Sequence, residues 1–169
     1  MSKITDNKAS ECARLWKEVF GDSDEFISSF ITDFYNADNM LSIEQDGKIQ
    51  SMLHVVPFDY NGSKVAYIYA VATTASERGK GYAGLLIKRA IEKAKNEGYK
   101  AVFTLPADDG LVSFYSQFGF KGRYAVTFET KNNFDFGTGE KEKDIAMVLP
   151  LESDFTLATE SKITLRKDL

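Results

Sequence analysis

Apolar positions along this chain recur with two periods, one helical and one extended, and the alternation of the two divides it into elements. From Ser10 to Phe20 the residues Ala13, Leu15, Trp16, Val19 and Phe20 keep a helical spacing that stops at Gly21, a residue suited to a helix C-terminus. The polar triplet 22–24 can cap a second helix. Along it Phe26, Phe30 and Phe34 recur at every fourth position beside Ile27 and Ile31, laying an aromatic stripe on the core face. The period then shortens. Met40 to Glu44, the turn Gln45-Asp46-Gly47-Lys48 and Ile49 to Phe58 predict a strand, a tight hairpin and a longer strand. Asn61-Gly62 marks the next turn, and Lys64 to Ala72, rich in Tyr, Val and Ile, completes an antiparallel meander.

Gly81 to Glu97 has the clearest helical pattern, with Tyr82, Leu85, Leu86, Ala90, Ile91 and Ala94 on one side, charges on the other, and Gly98 at its end. Ala101 to Leu105 predicts a short apolar strand. Pro106 cannot continue a central ladder, and Asp108 or Asp109 can cap a helix from about Gly110 to Phe118. Phe120 to Thr130 alternates as a strand, Lys131 to Lys143 reads as a polar loop, and Ile145 to Leu149 is another strand. Ile163 to Leu165 adds a short edge strand. Counting a first strand near Lys3 to Thr5, the order predicts an α/β fold with a mixed sheet and helices on its faces.

Length and composition narrow the class. At 169 residues, with 43% hydrophobic and 27% charged residues, the chain fits one globular domain over 1–169. A formal net charge of -4 argues against a surface devoted to nucleic acid phosphates. Cys12 and His54 are the only residues of their types, which excludes a disulfide framework and zinc sites of the usual Cys/His spacings, so no metal is expected. Met1 to Lys8 lacks the apolar run of a signal peptide and no stretch approaches a membrane span, which predicts a cytoplasmic protein without membrane association. The one excess is aromatic, 13% of residues.

The most informative stretch is Arg78-Gly79-Lys80-Gly81-Tyr82-Ala83-Gly84, after a strand and at the mouth of the strongest helix. Glycines here let backbone come close to a ligand, while the first amides of the helix point outward with the positive end of the dipole behind them. That chemistry suits a phosphate or pyrophosphate. A plainer reading is a glycine-rich turn that only lets a helix start close to a sheet. The residues also satisfy Gly-x-Gly-x-x-Gly, the dinucleotide fingerprint, but the polar run Thr73 to Arg78 separates strand from glycine and three meander strands precede it. A Walker A loop fails for want of Gly-Lys-Ser/Thr at the required spacing.

Arg78-Gly79-Lys80-Gly81-Tyr82-Ala83 resembles the Arg/Gln-x-x-Gly-x-Gly/Ala motif of the GCN5-related N-acetyltransferase (GNAT) superfamily, and Phe114-Tyr115-Ser116-Gln117-Phe118-Gly119-Phe120 resembles its second motif, Phe-Tyr-x-x-x-Gly-Phe. The resemblance covers about Val65 to Tyr124. It implies a mostly antiparallel central sheet of six to seven strands flanked by about four helices, and an acetyl-coenzyme A dependent N-acetyltransferase acting on an amine of a small molecule or peptide by direct attack. The turn of Arg78, Gly79, Lys80, Gly81, Tyr82, Ala83 and Gly84 would hold the pyrophosphate of acetyl-coenzyme A. The splayed strand end from Val71 to Thr73 would bond the pantetheine arm through its backbone. Two departures stand out: Asp108 replaces an Asn frequent seven residues before the motif tyrosine, and Ala75 replaces a frequent Pro.

By the same resemblance Tyr115 would protonate the departing thiolate, a transfer its phenol can make with a reference pKa near 10. Packing on a helix face is its plainer role. Backbone amides near Val71 would polarise the thioester carbonyl. For a base, His54, Tyr69, Asp59 and Glu44 lie on strands that could border an acceptor cleft, although His54 sits among apolar neighbours as a core histidine would. Cys12 reads as a small buried hydrophobe with no base partner in view. The alternative function is a coenzyme-binding regulatory module without turnover. Acyl length and acceptor stay open, as does a homodimer, with the acidic pI near 5.1 favouring a cationic acceptor.

Overall fold

A computed structural model of the chain describes residues 7–157 and 163–167, so the strand expected near Lys3 to Thr5 lies outside the described residues. The elements are α1 (Asn7–Phe20), α2 (Asp24–Asp33), β1 (Met40–Gln45), β2 (Lys48–Tyr60), β3 (Ser63–Thr73), α3 (Tyr82–Asn96), β4 (Ala101–Thr104), α4 (Asp109–Ser116), β5 (Lys121–Glu129), β6 (Ile145–Pro150) and β7 (Ile163–Arg166). The strands follow the order β1-β2-β3-β4-β6-β5-β7. Pairs β3–β4 and β5–β7 are parallel, while β1–β2, β4–β6, β5–β6 and β2–β7 are antiparallel. The fold is therefore mixed α/β with a mostly antiparallel sheet and four α-helices among the described residues.

The chain packs as two compact units, one made of Ala70–Ala90 and the chain up to Val56, the other of Pro57–Tyr69 and the chain from Ile91 onward. In the first, α1 buries Ala9, Cys12, Leu15 and Trp16, and α2 buries Ile27, Phe30 and Ile31. The Trp16 ring lies 4.9 Å from Phe30, and its indole N–H donates to Asp22 at 2.9 Å. With Asp22 so engaged, the cap of α2 is Ser23, whose hydroxyl accepts the Phe26 N–H at 3.1 Å. The aromatic stripe is only partly core: Phe30 is buried while Phe26 and Phe34 are half-buried, because the buried face turns through Ile27 and Ile31. Helix α3 is rotated likewise. Leu86, Ile87 and Ala90 are buried, whereas Leu85, expected inside, is 41% exposed.

The β2–β3 hairpin carries an irregularity. Its two-residue turn, Asn61-Gly62 with φ +48° and +85°, places Tyr60 opposite Ser63. At the far end, however, the Ser51 and Thr73 hydroxyls meet at 2.8 Å, so β3 spends one residue more than β2 between these points. Ala70, with φ +54°, takes up the extra residue as a bulge.

In the second unit β4 is central, paired with β3 from Val65↔Ala101 to Ile68↔Thr104 and with β6 from Ala101↔Pro150 to Thr104↔Met147. All four β4 residues are buried, which accounts for their unbroken apolar run up to Thr104. Phe58, Tyr67, Phe128 and Phe136 form a ring cluster with centroids 5.2 to 6.2 Å apart. The segment expected to be a polar loop, Lys131 to Lys143, supplies Phe136 and its neighbour Phe134 to this core. Buried Asp144 ties the loop down by accepting the N–H and hydroxyl of Thr138 at 2.7 and 2.8 Å.

The bulge predicts its own sensitivity. A β-branched residue at positive φ is a backbone outlier, so Ala70→Val should lose about 1–2 kcal/mol in urea unfolding. Ala70→Gly, in which relief of strain and added unfolded-chain entropy oppose each other, should stay within about 0.5 kcal/mol of the wild type.

Candidate active site

Parallel pairing between β3 and β4 ends at Ile68↔Thr104, although β3 itself runs on to Thr73. Val71 and Thr73, both half-buried, lie on this released end. It is held from the β2 side: Thr74 N–H donates to the Gln50 carbonyl at 2.8 Å, and Thr73 meets Ser51 through their hydroxyls. A single 3-10 turn, Ala75–Glu77, leads to the glycine-rich segment.

Gly79 and Gly81 adopt φ of +84° and +82°, and no atom lies within 4 Å of where a Cβ would stand at either. Glycine is required by the backbone angles, and the turn faces open space that a ligand can enter. Helix α3 begins immediately after Gly81. Its Leu85 N–H bonds the Gly81 carbonyl at 3.1 Å, so the amides of Tyr82, Ala83 and Gly84 belong to the first turn, where a helix has no acceptors of its own for them. Such donors, with the helix dipole behind them, fit a diphosphate.

The two cations of the turn are engaged with protein groups. Arg78 Nε donates to the Thr73 carbonyl at 3.1 Å, and Lys80 pairs with Glu77, whose hydrogen bond and charge raise the Lys80 pKa.

In the second unit Tyr115 lies on α4, whose N-terminus Asp108 caps by accepting the Leu111 N–H at 2.9 Å. Asp108, standing where the motif often has Asn, is committed to that cap. Tyr115 is 5% exposed, packed against Phe114 at 5.3 Å and Phe120 at 5.8 Å, and side-chain hydrogen-bonded to Thr104. Burial pushes its pKa up, with the Thr104 hydroxyl acting in the opposite direction. Thr104 is the residue at which β4 parts from β3, a partnership the sequence did not signal beyond its place as the last polar residue of an apolar strand. Tyr67 is buried, donates to the Phe136 carbonyl at 2.8 Å and has its pKa raised by burial; Tyr69 stacks on it at 5.5 Å.

The other base candidates have different surroundings. His54 is 2% exposed, with ring centroids of Phe30 and Trp16 at 4.9 and 5.8 Å, and burial lowers its pKa to about 3. Its Nε2 lies 3.5 Å from the Cys12 sulfur, a partner the sequence did not reveal, yet burial also pushes the Cys12 thiol up to about 12, so the pair stays neutral. His54 is therefore a core residue. Asp59 accepts the Gly62 N–H within the hairpin turn at 3.2 Å, and Glu44 pairs with Lys8 at 3.5 Å. A polar cleft of about 350 Å³ lined by Tyr60, Lys100, Asp154 and Phe155 lies at the end of β4 opposite Thr104. Among the described residues, no group of three or more His, Cys, Asp or Glu could hold a metal ion, and no helix is long and apolar enough to cross a membrane.

A family model described as acetyltransferase (GNAT) domain matches residues 1–122. No curated protein matches the chain in sequence. Among solved structures, the fold is similar to a GNAT family N-acetyltransferase (YhbS) from Escherichia coli in complex with CoA, with a TM-score of 0.66, 19% identity, and coverage of 95% of this chain and 84% of that one. A GNAT family acetyltransferase from Brucella melitensis in complex with acetyl-CoA gives a TM-score of 0.61 at 18% identity, covering 89% and 86% of the two chains. One from Elizabethkingia anophelis with acetyl-CoA bound gives 0.56 at 21%, covering 82% and 89%.

The buried histidine has a measurable consequence. The unfolded chain protonates His54 below about pH 6.5, while the folded chain resists protonation down to about pH 3, so stability falls as pH drops through that window. The His54 contribution approaches about 1.4 kcal/mol per pH unit. Urea unfolding of His54→Leu from pH 6.5 to 5 should show a correspondingly shallower loss than the wild type.

Proposed function

The chain belongs to the GNAT acetyltransferase family, and from that premise we propose that it is an N-acetyltransferase, a single catalytic domain that moves an acetyl group from acetyl-coenzyme A to an amine of a small molecule or peptide in a ternary complex. The observation that carries this reading is the glycine turn: positive φ at Gly79 and Gly81, open space beside both, and first-turn amides at Tyr82, Ala83 and Gly84. These amides, with Arg78 and Lys80, would hold the pyrophosphate, and charge-assisted bonds of this kind contribute about 1.5–3 kcal/mol each. Backbone groups of Val71 and Thr73 would bond the pantetheine arm. Acetyl-coenzyme A, when bound, supplies an acyl group activated as a thioester, and its use accords with a cytoplasmic location.

The protein's part in the chemistry is orientation and proton handling. A backbone N–H near Val71 would donate to the thioester oxygen, favouring attack by the amine nitrogen on the carbonyl carbon. As that C–N bond forms and the C–S bond breaks, the attacking nitrogen would release a proton to water, Tyr115 would give its phenolic proton to the leaving sulfur, and the Thr104 hydroxyl would support the phenolate until solvent returns a proton. The raised pKa of Tyr115 keeps the proton in place at neutral pH. An alkylammonium of pKa near 10 is only about 0.1% neutral at pH 7, and the amine would lose its proton to water before attack.

Tyr115→Phe should lower kcat roughly tenfold to a hundredfold while leaving the Kd for acetyl-coenzyme A nearly unchanged. Unaltered turnover would remove the acid role, and coenzyme binding with no thiol release across an amine panel would instead support the regulatory module. With an alkylamine acceptor, log kcat/KM should rise with pH toward the acceptor's pKa and show no Tyr115-dependent fall below about pH 10.

A further inference from the structure

The last backbone pair between β2 and β3 is Thr74 N–H to the Gln50 carbonyl, and one residue beyond it the strands separate. The polar backbone groups thus exposed are met by side chains of α1. On the β2 side, Glu11 accepts the Ile49 N–H at 3.0 Å and Arg14 donates to the Ile49 carbonyl at 2.9 Å. On the β3 side, one oxygen of Glu18 accepts both the Thr74 hydroxyl at 2.7 Å and the Ala75 N–H at 3.2 Å. Arg14 joins the two carboxylates, 3.1 Å from Glu11 and 3.2 Å from Glu18. Residues 11, 14 and 18 keep the helical three- and four-residue spacing, so a single face of α1 carries all three.

We propose that Glu18 is a positioning residue for the phosphate-binding turn, anchoring Thr74 and Ala75 so that the segment leading into Gly79–Gly84 keeps one conformation before coenzyme binds. Beyond Ala75 the chain has a single 3-10 turn, the Arg78 bond back to Thr73 and the Glu77–Lys80 pair, all local to the segment itself. Among the described residues, Glu18 carries side-chain hydrogen bonds from this segment to another element, and the Thr74 hydroxyl, the Ala75 N–H and the Arg14 guanidinium favour its carboxylate form. Released from it, the two positive-φ glycines at 79 and 81 are free to sample other conformations, and the amides of Tyr82, Ala83 and Gly84 would have to be ordered at the expense of binding free energy.

This inference rests on the reading of residues 78–84 as the coenzyme turn, and its test separates the two. In the ligand-free full-length chain, hydrogen exchange of Glu18→Ala should be faster at amides 75–84 and unchanged in β4. Calorimetric titration with coenzyme A should then show Kd rising about tenfold for Glu18→Ala, with KM for acetyl-coenzyme A rising in parallel and kcat within about twofold. Glu18→Gln keeps an oxygen for both donors and should bind within about threefold of wild type. Thr74→Val should weaken binding by less than Glu18→Ala and add little to it in the double variant. Unchanged exchange at 75–84, equal coenzyme affinity of Glu18→Ala and wild type, or failure of Glu18→Gln to rescue would overturn the positioning role. A wild-type chain that binds no coenzyme A would overturn the functional reading instead, while the exchange data would still decide whether Glu18 fixes the turn.

Discussion

β3 spends one residue more than β2 along their hairpin, and the chain takes up that residue at Ala70 with a left-handed backbone angle. Two consequences meet there. Before Ala70, β3 is a buried strand in parallel register with β4 up to Ile68↔Thr104; after it, β3 pairs on the β2 side and its other edge is released. A parallel sheet consumes the backbone groups of both its strands, so a strand end that is to bond a ligand through its backbone must first be freed from a neighbour. The bulge lies two residues past the last β3–β4 pair, and β3 runs through it without a proline or a break.

The imidazole and the thiol of this protein are both held in its interior. His54 and Cys12 face each other 3.5 Å apart in an apolar interior, and burial drives their pKa values in opposite directions, toward two neutral groups. Tyr115 is buried too, but it shares a hydrogen bond with the hydroxyl of Thr104, at the residue where β4 stops pairing with β3. A phenol is uncharged when protonated, so its burial costs less than burial of an ionised group and favours the protonated form.

Much of this architecture is written in residue types with a single backbone use. Asp46-Gly47 and Asn61-Gly62 mark the hairpins, Gly21 and Gly98 end α1 and α3, and Gly79 and Gly81 mark the turn, all with the positive φ that such residues tolerate. The helix that carries Tyr115, with Asp108 as its cap, was equally legible. The bulge was not, since alanine carries no signal of positive φ and the run from Val65 to Ala72 reads as uninterrupted strand. Nor were Phe134 and Phe136, which local polarity assigns to a loop and long-range ring packing draws into the core. The face of α3 was misjudged at Leu85 because apolar residues at 85, 86 and 87 leave its rotation to tertiary packing. Glu11, Arg14 and Glu18 look like an ordinary charged face, and only the backbone groups they meet give them their role.

Whether the freed end of β3 and the glycine turn together receive acetyl-coenzyme A is decided residue by residue when the isotopically labelled protein is titrated with coenzyme A and its amides are followed by NMR. If they do, the amides of Val71, Thr73 and Gly79–Gly84 shift together and saturate with one Kd. Shifts confined to the polar cleft around Tyr60, Lys100 and Phe155, with the turn unmoved, would contradict it.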